Sequence, residues 1–121
     1  MRISRNFTRD EFRCKCGECR HEGADIVLVT ILQSLRDWAG GSVKINSGNR
    51  CPAYNKKIGG SKDSYHMKAM AADVVVDGKT PREVYTWLCT TYRFRFGFIL
   101  YDWGVHIDSR TEAYRSDRTT K

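Results

Sequence analysis

A charge in the middle of an apolar strand is the strongest constraint on this chain. Met70 to Val76 reads Met-Ala-Ala-Asp-Val-Val-Val, a buried-strand pattern in which Asp73 alone is ionised. Seating that carboxylate among apolar neighbours is costly unless a metal ion or a cation compensates it. Two imidazoles are available for a shared site: His66, in Ser64-Tyr65-His66, and His106, in Val105-His106-Ile107-Asp108. Two ring nitrogens and a carboxylate oxygen form a donor set that zinc accepts, and three protein ligands leave a fourth position for water, which is the catalytic form of such a site. Asp73 paired with one of the 21 basic residues is the competing reading, and His66 taken alone reads as a structural histidine.

The rest of the chain reads as a scaffold for these residues. At 121 residues and 40% apolar composition it has enough for one core and too little for two. We read residues 1–110 as one α+β domain, with helices packed on an antiparallel or mixed sheet, and residues 111–121 as a polar, frayed tail. Thr8-Arg9-Asp10-Glu11 is a capping-box pattern that opens a helical turn anchored by Phe7 and Phe12. From Asp25 to Ala39, Leu28, Ile31, Leu32, Leu35 and Trp38 recur at helical spacing before Gly40-Gly41 ends the run. Val43 and Ile45 alternate with Lys44 and Asn46 as a short strand that delivers Arg50 to its end. Thr80-Pro81-Arg82-Glu83 opens a second helix, through about Tyr92, with Val84, Trp87 and Leu88 inward. Two further strands, 96–101 and 104–108, meet at a turn through Asp102-Trp103-Gly104.

Cysteine usage adds a second candidate site. Five cysteines, an odd number, in a chain whose start lacks a secretory pattern favour thiols or metal ligands over a disulfide framework. Cys14, Cys16 and Cys19, with His21 close behind, are a candidate structural zinc group. A four-ligand set there calls on His21 or a distant residue such as Cys51. Reduced surface thiols, or a disulfide formed in an oxidising space, remain open, and Cys89 reads as a small core residue. The net charge of +7 favours anionic partners such as cell-wall polymer, phospholipid surface or nucleic acid. With no charge block and no stacked-aromatic signature, nucleic acid is the weakest of the three. No run is long enough to span a membrane, so synthesis and folding in a cytoplasm without a signal peptide are expected.

Ser64-x-His66, Ala71-Ala72-Asp73 and the distal Val105-His106-Ile107-Asp108 resemble the zinc D-Ala-D-Ala carboxypeptidase and phage endolysin peptidases of the M15 type. The resemblance runs from about Phe7 to Arg110 and includes Asn46-Ser47-Gly48-Asn49-Arg50-Cys51-Pro52 and Tyr54 to Gly60. It implies an M15/hedgehog-like peptidase fold, one catalytic zinc ion on His66, Asp73 and His106, and hydrolysis of an amide bond in peptidoglycan stem peptides by a monomer. Arg50 follows the Ser-Gly pair where the family has a substrate-orienting arginine, and a guanidinium beside zinc suits that role. Where the family usually has glycine this chain has Ala69. The family's general base commonly stands three residues before the last zinc histidine, a place held here by Trp103. That leaves Asp102, one residue further, as the favoured base, and Asp108, on the strand face of His106, as its support or its rival. Ser64, Tyr101 and Trp103 are candidate substrate contacts. Carboxypeptidase and endopeptidase remain open, as does a zinc-containing binding module that has lost turnover.

Overall fold

The computed structural model describes residues 2–16, 24–61 and 64–120. A five-stranded sheet organises it, built from β3 (Val43–Ser47), β4 (Ala71–Val76), β5 (Gly97–Leu100), β6 (Val105–Asp108) and β7 (Tyr114–Asp117). Their order is β3-β4-β6-β5-β7, and every pairing is antiparallel except β5 with β7. A small hairpin of β1 (Arg2–Ser4) and β2 (Phe7–Thr8) precedes it. The architecture is α+β with a mixed sheet, as the sequence predicts.

Side-chain alternation divides the sheet into two faces with different chemistry. Val43, Ile45, Ala72, Val74, Val76, Phe98, Leu100, Val105 and Ile107 point to one side and are buried. Helices α1 (Ile26–Ala39) and α3 (Pro81–Thr91) close this core with Leu28, Ile31, Leu32, Leu35, Val84 and Leu88. Both helices start as expected: Asp25 caps α1 by accepting the Leu28 N–H at 3.3 Å, and Thr80 and Glu83 form the reciprocal box that opens α3. Trp38 is not inward as the spacing suggests. It is 37% exposed and stacks on Trp87 at 4.9 Å, so the two indoles cover the rim of the core together. The opposite sheet face carries Asp73, His106 and Asp108.

One local expectation needs revision, and one short helix is added. The segment read as a frayed tail instead contributes β7, whose residues Tyr114 to Asp117 pair in parallel with Gly97 to Leu100. Its polar composition concealed this because an edge strand with one solvated face has little need of apolar residues. The stretch after Arg50 also forms a short helix, α2 (Pro52–Lys57), with Pro52 in its first turn.

Ala69 gives a direct stability prediction. It closes the 3-10 turn Tyr65–Lys68 at φ 60°, in the left-handed region, and its carbonyl accepts the Asp25 N–H at 2.8 Å. A Cβ is strained there, which accounts for glycine at the matching place in the resembling family. Ala69→Gly is therefore expected to stabilise the protein by about 0.5–1 kcal/mol, read as a rise in the urea midpoint with unchanged slope.

Candidate metal centre

Strand register brings the first two ligands together. β4 and β6 pair so that Asp73 lies opposite His106, on the sheet face away from the core. His66 arrives from the 3-10 turn, which Ser64 opens by accepting the His66 N–H on its hydroxyl at 3.2 Å. Asp73 Oδ1 then stands 3.2 Å from His66 Nε2 and 3.0 Å from His106 Nδ1. All three residues are buried.

The outer nitrogens decide what this cluster is for. His66 Nδ1 is 2.7 Å from the Gly48 carbonyl, which only accepts, so Nδ1 carries the proton. His106 Nε2 is 2.9 Å from Asp108 Oδ2, so the neutral ring can give its proton to Asp108 and leave Nδ1 free to bind a metal ion. In the neutral tautomers that donate outward, His66 Nε2 and His106 Nδ1 turn lone pairs toward the same carboxylate oxygen. Three lone pairs facing one another repel unless a metal ion or a proton sits among them. Their spacing also suits zinc, whose tetrahedral bonds of about 2.0–2.1 Å to nitrogen and oxygen give ligand–ligand edges of roughly 3.3 Å. The donor set fits the ion.

A second layer of contacts holds the ligands in place. Arg50 Nη2 donates to Asp73 Oδ2 at 3.1 Å, while Nε and Nη1 bind Ser47 Oγ and Asn55 Oδ1. Asp108 is fully buried and takes Arg110 in a fork, Nε to Oδ1 and Nη2 to Oδ2, both at 2.7 Å. A Cβ on the neighbouring Gly97 would collide with both Asp108 carboxylate oxygens, so glycine is required at that close approach. Carboxylate to imidazole to metal ligand is the arrangement that fixes a ring's tautomer and orientation.

Electrostatics set the pH behaviour. Burial opposes ionisation of Asp73, but hydrogen bonds with His106 and His66 outweigh it and hold the carboxyl well below its usual range. In the metal-free protein, burial works against charge on His106, yet its bonds to Asp108 and Asp73 prevail and raise its pKa above 6.5. A proton on His106 Nδ1 and a metal ion exclude each other. Zinc retention is therefore expected to fall as pH drops through the raised His106 value, with Asp73 still ionised. The metal-free form runs the other way: the His106 contribution is complete below the unfolded pKa and is lost as pH rises through the folded one. The increase in Tm on adding zinc should accordingly grow from about pH 5 to pH 8, measured by thermal scans with and without the ion.

The site opens into a cleft of about 470 Å³ whose lining includes Arg50, Ser64, Tyr65, Tyr101, Arg110 and Arg118. Ser64 and Tyr101 both line this cleft. Trp103 is not: it stacks on Tyr101 at 5.1 Å but lines a separate groove with Val74, Val75 and Pro81. Asp102 also lies outside the cleft. Its carboxylate accepts the Thr120 N–H and the Thr120 hydroxyl, the latter at 2.7 Å, so the β5–β6 turn aims it at the segment that follows β7 and not at the ligands. Asp108 reaches His106 but not the cleft, which fits support and not proton exchange with substrate. The assignment of Asp102 as base is corrected on this geometry. Sequence reasoning missed Arg110, although it continues the alternation of His106 and Asp108. It also missed Tyr114 and Arg118, which reach the cleft only because β7 joins the sheet.

Cys14, Cys16 and Cys51 form a second group of potential ligands, while Cys19 and His21 lie outside the described residues. Cys89 is partly buried against the core, and burial pushes its thiol pKa up. Among the described residues no helix is long and apolar enough to cross a membrane.

Compared with known families, the chain matches the model described as Peptidase M15 over residues 5–108. No curated protein matches it.

Proposed function

Because the chain belongs to the peptidase M15 family, a family of zinc peptidases of the peptidoglycan-acting type, we propose that it is a cell-wall lytic enzyme that hydrolyses an amide bond in peptidoglycan stem peptides. The observation that supports this most is the convergence of His66 Nε2, Asp73 Oδ1 and His106 Nδ1 beside an open cleft. Zinc held there would polarise the scissile carbonyl and lower the pKa of an attacking water.

The chain's own residues supply positioning. Asp108 keeps His106 in the tautomer whose Nδ1 faces inward, and Gly48 does the same for His66. Arg50 steadies Asp73 and lies on the cleft wall, where a guanidinium orients a substrate carbonyl or carboxylate. Arg118 donates to the phenolic oxygens of Tyr101 and Tyr114 on the same wall. Arg50, Arg110 and Arg118 make this wall cationic, which favours a peptide that ends in a free carboxylate near the cut bond. That points to D,D-carboxypeptidase action ahead of endopeptidase action. The basic chain, acting as a monomer, suits a phage endolysin or a virion-associated enzyme that meets an anionic wall after release or from the particle.

The experiment is mass spectrometry of products released from purified peptidoglycan by the zinc-loaded protein. New peptide termini name the bond, and their absence across several wall chemotypes would sink the proposal. A second reading, a zinc-containing wall- or protein-binding module without turnover, is favoured by one observation: among the described residues the cleft holds no carboxylate besides Asp73. Asp102→Ala is expected to leave the rate within about threefold of wild type, since surface hydrogen bonds to Thr120 are all it removes. A hundredfold loss would return Asp102 to the base role.

A further inference from the structure

We propose that Cys14, Cys16 and Cys51 form a second metal site, a zinc-preferring thiolate centre that ties the N-terminal segment to the loop supporting the catalytic ligands. Each cysteine offers a sulfur, and the three sulfurs lie within 4.8 Å of one another. Thiolates around one zinc ion, at about 2.3 Å each, stand roughly 3.8 Å apart, so the group needs only a small contraction to share an ion. Cys14 is buried and the other two are half-buried, which limits solvent access without closing it. Cys14 Sγ already accepts the Cys51 backbone N–H at 3.3 Å, a contact that stabilises negative charge on sulfur. The adjoining groove adds Arg13, Lys15 and Lys44 against Asp10 and Glu11, so the local field tolerates a thiolate-rich centre.

Position gives the centre a purpose. Phe12, buried in the core, accepts the Asn49 N–H on its carbonyl at 2.8 Å, and Gly48 lies so close that a Cβ there would strike the Phe12 backbone. Between Phe12 and Cys51 the chain thus makes a seam with Gly48, Asn49 and Arg50 along one side. Gly48 fixes the His66 tautomer and Arg50 grips Asp73. An ion on the three sulfurs closes this seam and braces both supports of the catalytic site. Thiolates select zinc over magnesium or calcium, whose preference is oxygen.

The test is cobalt and zinc loading of the reduced protein. Wild type should bind about two equivalents and show thiolate-to-cobalt charge-transfer absorption in the near ultraviolet. His66→Ala should lose about one equivalent and keep that absorption. Cys16→Ser and Cys51→Ser should lose it while retaining about one equivalent at the histidine site. Zinc should also protect all three thiols from alkylation in the His66→Ala protein, mapped by peptide mass spectrometry, with Cys89 as the internal control. This readout needs no cysteine variant to fold. A single equivalent that disappears with His66→Ala, absorption that persists in either serine variant, or alkylation of the three thiols unaffected by zinc would each overturn the proposal. None of these results depends on whether the protein turns over a substrate.

Discussion

His66→Ala is expected to abolish zinc retention at the histidine site and to lower hydrolysis of stem peptides by about a thousandfold or more. Polarising the carbonyl and activating water are together worth several kcal/mol, and roughly 4 kcal/mol corresponds to about three powers of ten in rate. The loss should be complete because His66 supplies one of the three donors that converge among the described residues, and its backbone position is set independently by Ser64 and by the Arg50 N–H, which donates to the His66 carbonyl at 3.0 Å. Removing the ring therefore leaves the turn standing and takes away the ligand. Asp73→Asn tests the same centre from its charge. The amide preserves shape, but it removes the anion that both rings face and leaves Arg50 without its carboxylate. Rate and metal content should fall together in both variants, with far-ultraviolet circular dichroism unchanged. Zinc content that falls while the rate holds would separate the metal from the chemistry and sink the peptidase mechanism proposed above.

How much of this was legible depended on whether a residue's role is written in its neighbours. Asp73 was legible because a charge in Ala-Ala-Asp-Val-Val-Val has no cheap alternative. His106 and Asp108 were legible as a pair because a strand alternates, and β6 places both on the site face. The capping boxes at Thr8 and Thr80 were equally local, and both formed. Asp102 was misjudged for a reason of direction. Spacing from His106 put it near the metal along the chain, but the tight turn closed by the Tyr101 N–H to the Gly104 carbonyl rotates it outward to Thr120. Tyr114 and Arg118 could not be found by pattern. Their place in the cleft follows from a parallel pairing of β7 with β5 that no local period encodes, since strand partners distant in sequence are chosen by the whole sheet. Cys51 sits between these cases. Its sulfur joins the cluster through the seam between Phe12 and Asn49, and in the sequence only the need for a further ligand beside Cys14, Cys16 and Cys19 points to it as a distant candidate.

Asp108→Ala should be the most destabilising single change outside the apolar core. The carboxylate is fully buried and bonds His106 Nε2, two guanidinium nitrogens of Arg110 and the Arg110 backbone N–H, so its removal leaves a half-buried guanidinium and an imidazole N–H without their acceptor. Breaking such a pair from one side costs about 3–5 kcal/mol, which for a domain of this size lowers Tm by roughly 10–20 °C. The pH dependence has a definite sign. Burial would raise the Asp108 pKa, but hydrogen bonds with His106 and Arg110 hold it well below the usual range. Wild type therefore keeps this contribution above the unfolded carboxyl value and loses it as pH falls through the folded one, so the gap between wild type and Asp108→Ala should narrow on acidification. Asp108→Asn divides packing from charge. It fills the same space, and it should recover part of the stability while leaving zinc affinity about 10–100-fold weaker, because an amide does not enforce a proton on Nε2 as a carboxylate does. Chemical denaturation of the metal-free proteins gives the first number and competition with a zinc chelator gives the second. Full zinc affinity in Asp108→Asn would show that the ring's orientation comes from packing against the strand, and the carboxylate would then be a structural partner of Arg110 alone.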